Sequence, residues 1–441
     1  MNRSGEVEAE FTIPIEGLVH EAFGVARHSN GTMYIALTGS RGKAGSEDDF
    51  IAVARLGADN LPDPTFGVDG ICEVSFAHDA ILAMGVWGIS MVLKEDGGVV
   101  VIARDKIAGD PLVAGLARFT ADGKLDETFG QNGVFVHYLI RSKLIEQPVR
   151  SPDVAGNEWR NRMMESRSQV VSSSSWLYLF ETRSLLGSPG PGVVARFLPN
   201  GIWDKDFGEG GLALVAPSDP AELAVILRSL TVLSDSAIAM CGNVIDAAGR
   251  SRGLIARYLK SGQPDESFGD KGFVFIDPPQ AAPGVKVSLL FEGIAEGADS
   301  SIICVGHTLV YSSEYSDYGV IVHLDKAGAH MPSFNDGKPV EFSVSGHGDN
   351  FTCVAQQADN KIVAAGYAEI LDVSPDQVEF LVARFNSDGT RDLSFAGRGW
   401  TTKAYKPGIN YLRSMMLDNN LIVIAGTHDG LEIPVIVSFR T

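Results

Sequence analysis

Short apolar runs, rich in β-branched and aromatic residues and broken by Gly, Asn, Asp and Ser, recur along the whole of this 441-residue chain. Runs of that make-up read as strands, and no stretch carries a helical period of useful length, so the pattern predicts an all-β protein. One stretch shows the unit. SLTVLS (229–234) is followed by a tight turn at Asp235-Ser236 and by AIAMCG (237–242). After a variable loop comes GLIARYL (253–259), and the turn KSGQPDESFGDKG leads into FVFID (273–277). The unit is four strands.

The third strand and the turn behind it repeat. Copies begin at 53, 116, 194, 255, 321 and 382, and a degenerate seventh, VIVSFRT, begins at Val435. Their pattern is R-x7-D-x2-F-G-x2-G. It supplies Arg55, Asp63 and Phe66 in the first copy, then Arg118, Asp126 and Phe129, then Arg196, Asp204 and Phe207. Arg257, Asp265 and Phe268 follow, and Arg384, Asp392 and Phe395 stand in the sixth copy. In the fifth copy His323 and Met331 replace Arg and Asp together, while Phe334 stays. Joint loss is how an ion pair disappears without stranding one charge, so the Arg and Asp of a copy are expected to pair and the Phe to act as an apolar plug.

First-strand and third-strand elements each occur seven times, but only six fourth strands follow them. EFTIPI (10–15) is the leftover strand. Pairing it into the last unit closes a ring and removes the open sheet edge. The expectation is one domain over 1–441, a seven-bladed β-propeller with four-stranded antiparallel blades, closed by the N-terminal strand in the seventh blade. The motif, clearest in ARFTADGKLDETFGQNGVF (117–135), resembles the delta-60 repeat, a bacterial β-propeller repeat of the domain-of-unknown-function type. The resemblance implies the propeller and no particular chemistry.

Composition narrows the partners. The formal charge of −19 disfavours a nucleic-acid binder and an anionic membrane surface, both of which call for Lys and Arg. No apolar run is long enough to span a bilayer, and MNRSGEVEAEFTIPIEG has no apolar signal core. Cys72, Cys241, Cys304 and Cys353 form no CxxC or zinc spacing and read as buried free thiols. A cytoplasmic setting is expected, with signal-independent export left open. Each motif turn offers one Asp, too few oxygens for calcium, so neither a metal nor another cofactor is expected.

In a propeller the motif turns share one face. The loops joining second to third strands, and one blade to the next, share the other. The variable loops fall on that second face and are expected to carry function. The longest, 140–169, holds Arg150, Trp159, Arg160 and Arg162, a basic-aromatic stretch suited to a lid or a partner contact, or to packing against the ring. Tyr311, Tyr315 and Tyr318 form a second candidate binding loop. His78, Asp79, His307, His347 and His428 are candidate polar groups at the channel mouth. With no GxSxG, HExxH or phosphate loop, the leading expectation is a non-enzymatic binding or scaffold propeller that holds a protein or glycan partner. The alternatives are a hydrolase or lyase of lactonase-like type, with a metal or His/Asp site at the channel mouth, and a secreted toxin or adhesin component.

Overall fold

A computed structural model describes residues 4–13, 18–42, 49–76, 86–105, 113–138, 170–172, 176–185, 188–216, 222–246, 250–279, 285–311, 317–344, 346, 348–370, 377–406, 408–418, 420–428 and 433–441. The described strands form seven four-stranded antiparallel sheets. A short strand β1 (Val7–Phe11) opens the chain. Blade one follows as β2 (Leu18–Arg27), β3 (Met33–Ser40), β4 (Asp49–Leu56) and β5 (Ile71–Val74). Blade two is β6 (Val86–Leu93), β7 (Val99–Asp105), β8 (Val113–Phe119) and β9 (Val134–Tyr138). Blade three is β10 (Val170–Ser172), β11 (Leu177–Leu185), β12 (Ser188–Phe197) and β13 (Leu212–Val215). Blade four is β14 (Glu222–Val232), β15 (Ile238–Asp246), β16 (Ser251–Tyr258) and β17 (Phe273–Ile276). Blade five is β18 (Lys286–Glu296), β19 (Ile302–Tyr311), β20 (Gly319–Leu324) and β21 (Val340–Phe342). Blade six is β22 (Asp349–Gln356), β23 (Ile362–Glu369), β24 (Val378–Phe385) and β25 (Trp400–Lys403). Blade seven is β26 (Asn410–Asp418), β27 (Leu421–His428) and β28 (Ile433–Arg440), with β1 as its outer strand.

The ring therefore closes as the strand count requires, with a shift in register. The closing strand is Val7–Phe11 and not 10–15: Val7 stands opposite Phe439, and Phe11 opposite Ile436. Of the described part of the expected segment, residues 10–13, only Glu10 and Phe11 are in the ladder. Ile13, beyond it, is buried in the core between blades seven and one.

Seven apolar clusters fill the seven seams between neighbouring blades. Strand alternation divides each blade between two of them. On β15, Ile238 and Met240 face blade three, whereas Ala239 and Cys241 face blade five. Both faces of each sheet are covered, which is why the inner strands read as continuous apolar runs. Each fully buried large apolar side chain contributes about 1.5–3 kcal/mol, so most of the stability resides in the seams.

The motif turns tie these seams on one face. In all five copies that keep Arg and Asp, the two pair. Nε to Oδ2 is 2.8 Å for Arg196–Asp204 and for Arg384–Asp392, and 3.4 Å for Arg118–Asp126. Arg55 reaches Asp63 at 3.0 Å, and Arg257 pairs with Asp265. The other carboxylate oxygen accepts the backbone N–H two residues on, as from Ser394 at 3.0 Å, which fixes the turn. The plugs Phe66, Phe129, Phe207, Phe268, Phe334 and Phe395 are all fully buried. In the fifth copy His323 is buried edge-on against Phe334 and hydrogen-bonds the Ser301 hydroxyl at 2.9 Å. Burial pushes its pKa down to about 4, so the ring is neutral where an arginine would be charged.

The residue after each plug then donates its backbone N–H into the next copy's turn. The bonds run from Gly67 to Asp122, Gly130 to Asn200, Gly208 to Ser261, Gly269 to Ala327 and Asn335 to Asp388, at 2.7–2.9 Å.

Candidate functional site

Chemistry collects on the innermost strands, which line the axis. Among the described residues, six of these strands carry a β-bulge at the same point of the repeat, between Ala22 and Gly24, Gly88 and Ser90, Leu227 and Ser229, Phe291 and Gly293, Phe351 and Cys353, and Leu412 and Ser414. A bulge inserts one residue and re-aims it out of the alternating pattern. The inserted residues are Phe23, Ile89, Arg228, Glu292, Thr352 and Arg413. Three of the six are charged, each with an apolar residue before it.

Two of them meet. Arg228 on β14 and Glu292 on β18 approach to 3.9 Å between Nη1 and Oε1, with side chains 3% and 4% exposed. Withdrawing two charges from water is expensive, and at this separation their attraction returns only part of it. The thiols of Cys241 on β15 and Cys304 on β19 lie alongside, both fully buried. Burial, the neighbouring Cys304 and the negative charge of Glu292 all push the Cys241 thiol well above its ordinary range. It is a poor nucleophile, which leaves the carboxylate and the guanidinium as the reactive groups. A carboxylate here can take or give a proton, and the guanidinium can hold a carboxylate or a developing oxyanion. The other charged bulge, Arg413, pairs with Glu21 in a more exposed setting, 35% and 17%.

Of the histidines chosen from the sequence, the two described ones, His307 and His428, lie apart. His307 lies on β19, opposite Leu290 and Gly319, and His428 lies at the end of β27, opposite Asn410. Both are on second strands, one layer out from the axis, with blade six between them. His428 is buried, with Tyr405 edge-on at 6.3 Å. Tyr311 closes β19, with the Lys286 ammonium 5.3 Å from its ring. Tyr318 packs against the core between blades four and five, and burial pushes its phenol up to about 12. His78, Asp79, His347, Tyr315, Arg150, Trp159, Arg160 and Arg162 lie outside the described residues, as does the whole 140–169 insertion. Among the described residues no group of three or more His, Cys, Asp or Glu is placed to hold a metal ion. Nor is any helix there long and apolar enough to cross a membrane.

Arg228 and Glu292 lie on inner strands, away from the variable loops where the sequence pattern places function. Their signal was present in ILRSL (226–230) and LLFEGIA (289–295), each a charge flanked by apolar residues of an inner strand.

No curated protein matches the chain in sequence. Among solved structures, a catalytically inactive virginiamycin B lyase variant from Staphylococcus aureus with quinupristin aligns over 98% of this chain and 99% of its own, at 10% identity and TM-score 0.48. A Hadza microbial sialidase aligns over 99% and 96%, at 10% identity and TM-score 0.41. Trypanosoma rangeli sialidase with the inhibitor DANA aligns over 79% of this chain and 54% of its own, at 10% identity and TM-score 0.39, so this chain spans about half of that protein's length. These likenesses concern the fold. The proteins are named as enzymes, and the expectation of a non-enzymatic binding scaffold is corrected on that finding. A family profile described as a domain of unknown function (DUF5122) beta-propeller matches residues 95–129 and 357–395. Those segments run through the Arg, Asp and Phe of the second and sixth copies, and at them a beta-propeller domain of this family of unknown function is present.

Proposed function

We propose that this propeller is an enzyme of the hydrolase or lyase class, with its reacting groups on the axis side of blades four and five. The observation that carries the reading is the Arg228–Glu292 pair, two opposite charges buried at successive bulges of the innermost strands, 3.9 Å apart. Glu292 is the general acid or base, and Arg228 orients an anionic group of the substrate and offsets charge that builds up on it. The bulge lends itself to this role, because it lets a strand present one polar side chain while its neighbours continue the core.

The test is turnover of a panel of glycosides, esters and lactones by the purified protein, alongside Glu292→Gln and Arg228→Met. Loss of an acid/base group lowers kcat by about 10²–10⁴. The reading expects that drop in Glu292→Gln with the folded fraction unchanged by circular dichroism. Turnover that survives Glu292→Gln, or no turnover by the wild-type protein on any of the panel, would sink it.

A further inference from the structure

The seventh blade is assembled from two distant pieces, and their junction copies a motif turn. In the six complete copies, the fifth residue after the anchor sits at the turn, with a positive φ, and donates to the carbonyl three residues back. Gly389, with φ 85°, donates to Asn386 at 3.0 Å. In blade seven the anchor is Ser438, and the chain stops at Thr441. Gly5, with φ 83°, takes the vacant place: it donates to Arg440 at 2.8 Å, and the Ser4 carbonyl accepts from Ala396 N at 2.8 Å. That last bond is the sixth of the blade-to-blade series. Ser4-Gly5 therefore stands where Asp388-Gly389 stands in the sixth copy.

Residues 4–11 bury little, as does β25, none of whose four residues is buried. Val7, Glu8 and Glu10 are exposed, and Ala9 and Phe11 are only half-buried, whereas β13 buries three of its four residues. The attachment is the ladder to β28, the turn, and charge. Arg440 N donates to Glu6 O at 3.1 Å, the Arg440 guanidinium pairs with Glu8, and Lys403 Nζ of blade six lies 2.9 Å from Glu10 Oε2. Backbone pairing gives affinity, and the alternate side chains give selectivity, the mode by which extended peptides add to a sheet edge.

We propose that the outer edge of blade seven is a strand-addition site for an extended acidic peptide, filled in this chain by its own residues 4–11. The peptide it selects carries glycine at the turn and glutamates at alternate positions beyond it. Glycine is required because a Cβ at Gly5 would lie 2.6 Å from Ala396 Cβ, in a backbone region that side chains avoid. The occupant is exchangeable, because almost none of it is core.

The experiment uses the full chain, folded, with a site-specific protease sequence in place of residues 14–17, and cuts it there. A fluorescent peptide of residues 1–13 is then added at micromolar concentration and followed by anisotropy and gel filtration. The expected result is that the cut strap stays bound to the ring until the labelled peptide displaces it. A Gly5→Val peptide binds at least tenfold more weakly, as does one carrying Glu8→Lys and Glu10→Lys. Binding of the lysine peptide is restored on a ring carrying Arg440→Glu and Lys403→Glu. The proposal is overturned if cutting unfolds the ring, if the strap leaves and labelled peptide does not enter, or if the glycine and glutamate variants bind as well as the parent.

Discussion

Six seams of this ring are closed on the motif face by the same device, and the seventh, between blades seven and one, is not. At the six, a buried Phe and the N–H behind it press into the following turn. Blade seven has no such Phe, because its turn is rebuilt from Ser4-Gly5 and runs straight into β1. The 7–1 seam is held instead nearer the axis, by Arg413 against Glu21, Arg27 Nε to Asp418 Oδ2 at 3.0 Å, and Val25 N to the Ser414 hydroxyl at 3.3 Å. The receiving turns record the difference. Where a plug arrives, the receiving residue is Gly123, Gly201, Gly262, Gly328, Gly389 or Gly5; where none arrives, it is Asn60, with φ 62°. The glycine answers both the left-handed backbone and the plug. With the plug gone only the backbone demand remains, and asparagine meets that.

The largest effect should come from removing a plug. Phe268→Ala empties a fully buried site and should cost about 3–5 kcal/mol, read as a fall in the urea midpoint. If instead the change is under about 1 kcal/mol, the plugs do not hold the seams and the comparison fails.

Next come the ion pairs behind the plugs. The Arg384 and Asp392 side chains are 6% and 8% exposed, and Arg384 also lies over the Phe395 ring at 5.0 Å. Burial pushes the Asp392 carboxyl up, but the Ser394 hydroxyl and N–H, with Arg384, hold it below its ordinary value. Arg384→Met leaves that carboxylate with the Ser394 hydrogen bonds and the Lys361 ammonium at 3.9 Å as its remaining partners, and should cost about 3 kcal/mol. Adding Asp392→Leu should recover more than half of the loss, since the buried carboxylate is then gone and Lys361 keeps Asp359 at 2.6 Å. The same single change at Arg55, whose partner Asp63 is 28% exposed, should cost distinctly less. Equal losses at the two sites would mean that burial does not set the worth of these pairs.

The sequence carried most of this architecture, and for a definite reason. Six complete copies of one unit give six readings of each motif position, so the joint loss of Arg and Asp at His323 and Met331 revealed the pairing from sequence alone. The count of fourth strands revealed the closure. Its register was misplaced because EFTIPI looks more strand-like than VEAEF: the true strand is half-exposed and alternates glutamates, a weak apolar signal. Ser4-Gly5 went unread because the match spans the two chain ends. The candidate site was hidden for the opposite reason. A bulge shifts one residue out of the period of two, and a charge flanked by apolar residues, such as Arg228 or Glu292, carries no spacing motif.

The fifth copy offers a pH-dependent break in the same comparison. His323 titrates near 4 in the fold, against about 6.5 when unfolded. Between those values the unfolded chain binds a proton that the folded chain does not. Its contribution is therefore fully present above pH 6.5 and is lost as pH falls toward 4, on the order of 3 kcal/mol in all. His323→Gln should flatten that part of the stability–pH curve, measured by urea unfolding at pH 4.5 and pH 7. An unchanged slope would place the acid sensitivity elsewhere.

The smallest change is the sharpest test of what the receiving glycines do. Asn60→Gly removes a side chain from a left-handed turn that no plug approaches. It relieves some backbone strain and adds freedom to the unfolded chain, so the two effects should offset to within about 0.5 kcal/mol. The reverse exchange at a plugged seam, Gly123→Asn, keeps a residue that tolerates the backbone. It nevertheless puts a Cβ 2.5 Å from Gly67 N and 3.1 Å from the Phe66 ring. The plug must then move, and a loss of about 1–3 kcal/mol is expected from overpacking. Should Gly123→Asn prove as mild as Asn60→Gly, the glycines would serve the turn alone, and the absence of a plug at the 7–1 seam would not explain Asn60.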